Sequence, residues 1–511
     1  MNNRQWDTMN ESAWEELLRD SIPALPPEDV VKKVTPWKRA MNRILIGWAL
    51  GTITLNFWCL DTILSSIGMV LTLLGFRTLR QENRWLQTCF VLTVVLASLF
   101  FPLVILDTMP IQSTVHASPA MLVVTAINTG LELLRLFSLW RGLRAVQEKT
   151  GLPPNAKGAL ALLIWFMVLC LLGLVQYSGF FLSGLLLVAY FRILRSLWKL
   201  SRELDEAGYA VQTTPVKVPD RAVALVICTV VVIGCACGYL FGGKYPMNWQ
   251  VSRTTEHSGV EDIKEHLLEL GFPAYVLNDL TVEDIVACKD ARQVIVDVED
   301  HPMNNNGRTV TMREVNRLGE WRDVARTVYD VKELRLTGVG VQLPGEQEQW
   351  VVIHHFLWTT NPGFYGTEVI QLQPTYRSTL HGWDSAGDVT GRVLYDKDGT
   401  TYAAPYYSLG EHTFTSNHIL LGEQTSTDVF ATFSMPYGGE NHRGYIAYPI
   451  SEVQEGWSID SWLNYTHQRT WMQYPAVTAI EKRIAVSSNN AGAFKTAQGV
   501  LRIFFLDRCK R

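Results

Sequence analysis

Cysteine is nearly absent from the second half of this 511-residue sequence: of eight cysteines, only Cys288 and Cys509 lie beyond residue 243. A disulfide-stapled fold is excluded on that count, while one bridge between Cys288 and Cys509 stays open. Metal-binding spacings are missing too. There is no HExxH and no CxxC, and Asp396-x-Asp398-Gly399 lacks the later glutamate of a calcium loop. His354 and His355 are adjacent on an expected strand, so they face opposite sides and do not easily share a metal. Ser385, in GWDSAG, lacks the Gly-x-Ser-x-Gly elbow of a serine hydrolase. No catalytic residue, metal or cofactor is therefore expected. The chain before Ile44 is polar and shows no cleavable signal pattern, so the first apolar stretch is expected to act as its own insertion signal.

Charge is scarce in seven apolar stretches between Ile44 and Gly243, at about 36–60, 62–79, 85–106, 119–140, 158–176, 179–198 and 221–242. Lys and Arg fall on one side only. Seven precede Ile44, three lie in RTLRQENR, four run from Arg141 to Lys157 and six from Arg192 to Arg221, with none in the other loops. Basic loops stay in the cytoplasm, so the N-terminus is expected inside and residues 244–511 outside. Thr35-Pro36 and Ser118-Pro119 read as N-cap and N1 pairs that start two of the helices. Three spans end in one pattern, Phe76-Arg77-x-Leu79-Arg80, Trp140-Arg141-x-Leu143-Arg144 and Phe191-Arg192-x-Leu194-Arg195. That pattern fits three helical hairpins plus a final span, and is equally what any inward-ending helix acquires. Glu132 and Arg135 are the ionisable residues expected inside the spans, at the i, i+3 spacing of an intramembrane ion pair. Val232-Ile233-Gly234-Cys235 has the form of a lipobox, or is plain helix.

Residues 1–35 form an expected cytoplasmic head, where Ser12-x-x-Glu15 reads as a capping box before Trp14, Leu17 and Leu18. This short amphipathic helix could dock a cytosolic protein, lie on the membrane surface, which the acidic Glu15 and Glu16 disfavour, or stay uncommitted. The part after residue 243 carries 24 basic and 33 acidic residues, which disfavours a nucleic-acid partner. Ser258-x-x-Glu261 and Thr281-x-x-Asp284 cap an expected helical hairpin, so residues 244–300 read as one subdomain. HPMNNNGR, from His301 to Arg308, reads as a linker to a β-rich domain over 301–511. Strands are expected at Val331–Leu343, Gln349–Trp358, Thr367–Tyr376, Gly391–Tyr395, Thr400–Tyr406, Asp428–Ser434, Gly444–Ile450 and Ser458–Asn464, with a hairpin turn at Asp396–Gly399. Pro475 to Ile484 and Gly492 to Phe504 read as helices. The expected fold is thus an all-α membrane bundle of about seven transmembrane helices, followed by an extracytoplasmic α+β domain of antiparallel, sandwich-like strands that is able to fold alone. Aromatics are dense in this domain. Trp358, Phe364, Tyr365 and Trp383 are candidates for a ligand-binding face that stacks on sugar rings or peptides, or else for the sheet core.

PPEDVVKKVTPWKRAMNRIL (Pro26 to Leu45), NPGFYGTEVIQL (Asn361 to Leu372), ENHRGYIAY (Glu440 to Tyr448) and NYTHQR (Asn464 to Arg469) together resemble uncharacterised multispanning envelope proteins of Gram-positive bacteria. The resemblance implies a bacterial plasma-membrane location and transfers no site. The sequence points to an envelope binding, sensing or signalling protein, in contact with membrane lipid and with an envelope glycan or protein ligand. An envelope-acting enzyme and a transporter with an accessory outer domain are the alternatives.

Overall fold

The computed structural model describes residues 36–52, 59–175, 179–207, 209, 211, 218–252, 259–304, 307–315, 319–377, 382–418, 422–454, 458–470, 473–484 and 492–505. The head helix, Thr35, Ser258 and Cys509 lie outside them, while Cys288 is a buried free thiol. Contacts divide the chain into two units, one of Met1–Val104 and Thr114–Ile233, the other of Ile105–Ser113 and Gly234–Arg511.

The helices of the first half are α1 (Pro36–Thr52), α2 (Leu60–Leu79), α3 (Arg84–Leu106), α4 (Gln112–His116), α5 (Pro119–Lys149), α6 (Lys157–Leu174), α7 (Phe180–Glu206) and α8 (Asp220–Gly242). Six of the described helices, α2, α3, α5, α6, α7 and α8, are long and apolar enough to cross a membrane. Described α1 has 17 residues. It packs against α2 backbone to backbone: a Cβ on Gly47 would collide with Gly68 and Thr72, and one on Gly75 with Ala40 and Ile44. Small residues at this spacing let two apolar helices approach where no hydrophobic drive exists between them. The repeated helix ends share only their leucines, Leu79, Leu143 and Leu194, which are all buried. Phe76 is buried but Phe191 is exposed, and Arg77 pairs with Asp220 at 3.2 Å while Arg141 lies over Trp85 and Trp140. Arg43 adds a second cation to Asp220 at 2.5 Å.

In the second unit, Gly234, Gly238 and Gly242 of α8 meet Ile105, Thr108 and Met109. Gly234 is thus explained by close packing, inside an unbroken helix. Asp107 and Gln112 also bind this unit: the Asp107 carbonyl accepts from Ala476 N at 2.7 Å, and Gln112 Nε2 donates to Ala476 O at 3.1 Å. The β-rich unit therefore includes residues 105–113, and the segment after residue 243 is not closed on itself as the sequence suggested.

The strands are β1 (Gln250–Val251), β2 (Gln293–His301), β3 (Gly307–Val315), β4 (Trp321–Tyr329), β5 (Leu334–Leu343), β6 (Gln349–Trp358), β7 (Glu368–Gln373), β8 (Trp383–Ser385), β9 (Thr390–Lys397), β10 (Thr400–Ala404), β11 (Ser408–His418), β12 (Gly422–Phe433), β13 (Glu440–Glu452), β14 (Ser458–Gln468) and β15 (Phe494–Phe504). Pairing is antiparallel throughout. One sheet runs β1-β10-β9-β13-β6-β5-β2 with β8 on β13, a second runs β11-β12-β7-β14-β15, and β3-β4 is a separate hairpin. Alternation sorts the side chains: Val352, Phe356 and Ile446 of the first sheet and Ile370, Phe433, Leu463 and Leu501 of the second share one core. The opposite face of the first sheet, with Val351, Ile353 and Tyr445, packs on α9 (Val260–Glu269), α10 (Ala274–Leu277) and α11 (Val282–Ala287). Strand β2 crosses the boundary expected at residues 300 and 301, so helices and strands share a core rather than forming two subdomains.

Two segments correct the sequence reading. Gly492 to Phe504 is not a helix but strand β15, because Leu501 and Ile503 face the core on either side of exposed Arg502, a period of two that the Ala and Gly content obscured. The linker HPMNNNGR joins two strands, β2 and β3, and the helix expected from Pro475 to Ile484 shrinks to α12 (Ala479–Ile484). The Asp396–Gly399 turn does form, with Asp398 at φ 50° and Gly399 at φ 74°, both left-handed as a two-residue hairpin of this hand requires.

His354 and His355 do face opposite sides. His354 lies between the sheets with Nε2 2.7 Å from Ser461 Oγ, and burial lowers its pKa from 6.5 to about 4. The unfolded chain accepts a proton there first. The native state thus has its full stability above pH 6.5 and loses part of it as pH falls from 6.5 towards 4. His354→Gln is expected to reduce by about 2 kcal/mol the stability lost between about pH 7 and about pH 4.5, measured by melting the whole protein in detergent. An unchanged pH slope contradicts this.

Candidate functional site

Beside the β9-β10 hairpin opens a cleft of about 760 Å³ whose walls include Lys264, Asp279, Glu283, Thr400, Arg392 and Arg443. Its floor is built around Asp279, which follows α10 and is 3% exposed. The carboxylate receives Arg443 Nε at 2.8 Å and sits 2.9 Å from His355 Nε2. A buried carboxylate is tolerated only with such partners. Arg443 also reaches Asp396 Oδ2 at 3.0 Å. Burial pushes the Asp396 pKa up, but hydrogen bonds from Asn441 and Thr401 and the Arg443 charge outweigh it and hold the group below its usual value.

Helix α11 is set by its capping box: Asp284 N donates to Thr281 Oγ1 at 3.2 Å, and Thr281 Oγ1 donates to Asp284 Oδ2 at 2.7 Å. The sheet completes the cap, since Tyr445 Oη donates to Asp284 and Thr390 Oγ1 donates to Asp284 Oδ1 at 2.7 Å. α9 begins after Gly259, its N-cap residue. Arg392 then spans the gap, donating from Nε to Asp279 O at 2.9 Å and from Nη2 to Leu280 O at 3.0 Å. Among the described residues no carboxylate lies within ion-pair distance of Arg392, which leaves an uncompensated cation on the cleft wall.

This arrangement can hold an anion. His355, held 2.9 Å from Asp279 Oδ2, is 1% exposed and is not among the residues that line the cleft. Ser385, on β8, donates to Gly387 O at 2.8 Å. No group of three metal-ligating side chains converges among the described residues.

The four candidate aromatics do not share a face. Trp358 and Trp383 are each 1% exposed in the core between the sheets, with their indole N–H groups on Tyr465 Oη and Ser458 O, both at 3.0 Å. Phe364 and Tyr365 instead line a separate cavity of about 530 Å³. The Asn361-Pro-Gly363 turn aims them there: Gly363 has φ 82°, and Gly363 N donates to Asn361 Oδ1 at 2.8 Å. No protein-family model matches this chain, and no curated protein matches it.

In the helical unit, Arg135 Nη2 lies 2.6 Å from Glu132 Oε1, as the i, i+3 spacing suggested. The guanidinium also lies over Trp48, 5.8 Å from the ring centroid, and the pair borders a cavity of about 380 Å³ shared with Thr52 and Tyr190. Glu132→Ala is expected to destabilise the protein by about 3 kcal/mol by stranding the Arg135 charge, and Glu132→Ala with Arg135→Ala to recover part of the loss. Yield of folded protein and its melting temperature measure both. Normal accumulation and melting of the single variant contradict a structural pair.

Proposed function

We propose that this chain is a multi-pass plasma-membrane protein with seven spans and a cytoplasmic N-terminus, whose extracytoplasmic β-sandwich binds an anionic envelope ligand in the Asp279 cleft and signals its presence. The observation that carries the reading is Arg392, a guanidinium fixed by two backbone carbonyls and unmatched by a carboxylate on the wall of a polar cleft. Planar guanidinium groups bind phosphate and carboxylate oxygens in pairs, which suits an anionic glycan, peptide or phosphate polymer. The charge asymmetry of the loops supports the outward orientation. Two core-facing sheets, with helices on the outer face of one, support the sandwich.

Binding accounts for the cleft better than catalysis, because its histidine is buried behind the carboxylate. Transport is the weaker reading for the helices, since the Glu132 carboxylate is closed on Arg135. The N-terminal head, as a docking site for a cytosolic protein, completes the proposed route from ligand to cell interior.

Isothermal titration of the purified full-length protein with poly(glycerol phosphate), and with a carboxylated muropeptide, tests this. One of the two anionic probes is expected to bind, and Arg392→Gln to weaken it about tenfold. Absence of binding to both probes, or equal affinity in the variant, overturns the reading.

A further inference from the structure

The cavity that holds Phe364 and Tyr365 lies outside the Asp279 cleft and is unlike it. Its walls are mainly apolar, with Pro110, Leu240, Phe364 and Val477 among them. Ala236, Tyr239 and Leu240 belong to α8, a helix apolar enough to cross a membrane, so the cavity begins on a membrane-span surface. Leu240 and Phe241 are 72% and 83% exposed at that helix end, as expected of side chains that meet hydrocarbon rather than water.

Two polar groups stand in this apolar setting. Lys244, two residues beyond α8, has its ammonium 5.5 Å from the Tyr365 ring centroid and no carboxylate partner among the described residues. Burial lowers its pKa below the usual lysine value, the sign of a cation that has lost water without gaining an anion. Gln473 is 8% exposed, and among the described residues neither its Nε2 nor its Oε1 has a hydrogen-bond partner. A buried amide left wholly unmade costs free energy, and few native side chains stay so. The position of Gln473 is fixed by its backbone, since its carbonyl accepts from Tyr239 Oη, and the wall beyond it is held by the Ala476 bonds to Asp107 and Gln112.

We propose that this cavity binds one anionic phospholipid, its phosphate at Lys244, its glycerol or ester oxygens at the Gln473 amide, and its first acyl carbons against Leu240, Phe364 and Val477. An apolar wall that continues onto a span, an unpaired cation and an unsatisfied amide are together what an amphipathic anion supplies partners for. A free phosphate ion answers the lysine but leaves the apolar wall wet. A neutral lipid answers the wall and leaves the lysine unpaired. The site is independent of the Arg392 cleft, whose walls share no residue with it.

Native mass spectrometry of the detergent-purified full-length protein, with added phosphatidylglycerol or phosphatidylcholine, tests the assignment. The wild type is expected to retain one phosphatidylglycerol about tenfold better than phosphatidylcholine, and Lys244→Gln to remove that preference. Lys244→Arg should keep it, Gln473→Leu should weaken phosphatidylglycerol while the melting temperature holds, and Arg392→Gln should leave it unchanged. Millimolar glycerol phosphate should not displace the lipid. Equal retention of the two lipids by the wild type, an unchanged preference in Lys244→Gln, or displacement by glycerol phosphate overturns the proposal.

Discussion

The β-rich unit depends on the pairing of one buried carboxylate. Asp279 is nearly inaccessible, yet it is surrounded by an arginine from β13, a histidine from β6 and, through its carbonyl, an arginine from β9. Each of those strands is a neighbour of another in the same sheet, so one residue, through its side chain and its carbonyl, ties the helical layer to three adjacent strands. Removal of Arg443 leaves the Asp279 carboxylate without its guanidinium in low dielectric, which is costlier than the pair is stabilising. The geometry of the cleft follows from this. Arg392 is aimed by carbonyls whose positions Asp279 itself fixes.

The helices are organised by a different constraint, close approach without hydrophobic drive. Gly47, Gly68 and Gly75 bring α1 against α2, and Gly234, Gly238 and Gly242 bring α8 against the end of α3. In the second seam the glycines do more than pack helices, because residues 105–113 are carried into the β-rich unit, where Asp107 and Gln112 bond the segment beside Gln473. The walls of the cavity beside Gln473 are therefore drawn from separate parts of the chain, at residues 108–110, 236–244, 363–365, 437 and 468–477.

Local chemistry was legible in the sequence, and long-range convergence was not. The Thr281-x-x-Asp284 box, the Asp396–Gly399 turn, the Glu132–Arg135 pair and most of the strands followed from spacing and turn residues alone. Strand β15 was hidden because Ala and Gly residues in AGAFKTAQG weaken the period of two. The β3-β4 hairpin was hidden because its residues alternate without a buried face, so polarity reads as loop. Asp279 gave no signal: Arg392 is 113 positions away and Arg443 is 164, and each stands singly in an ordinary segment. Aromatic density misled in part, for a tryptophan on a strand looks the same in sequence whether it faces a ligand or the opposite sheet, as Trp358 and Trp383 do.

The proposed binding at Arg392 requires the β-rich unit to face outwards, where an envelope ligand would reach it. Labelling of intact cells with a membrane-impermeant maleimide tests this directly, with single cysteines introduced at Glu346 and Asn155, both exposed and in different units. The account predicts modification at position 346 and none at position 155 until the membrane is permeabilised. Labelling at 155 with protection at 346 would contradict it.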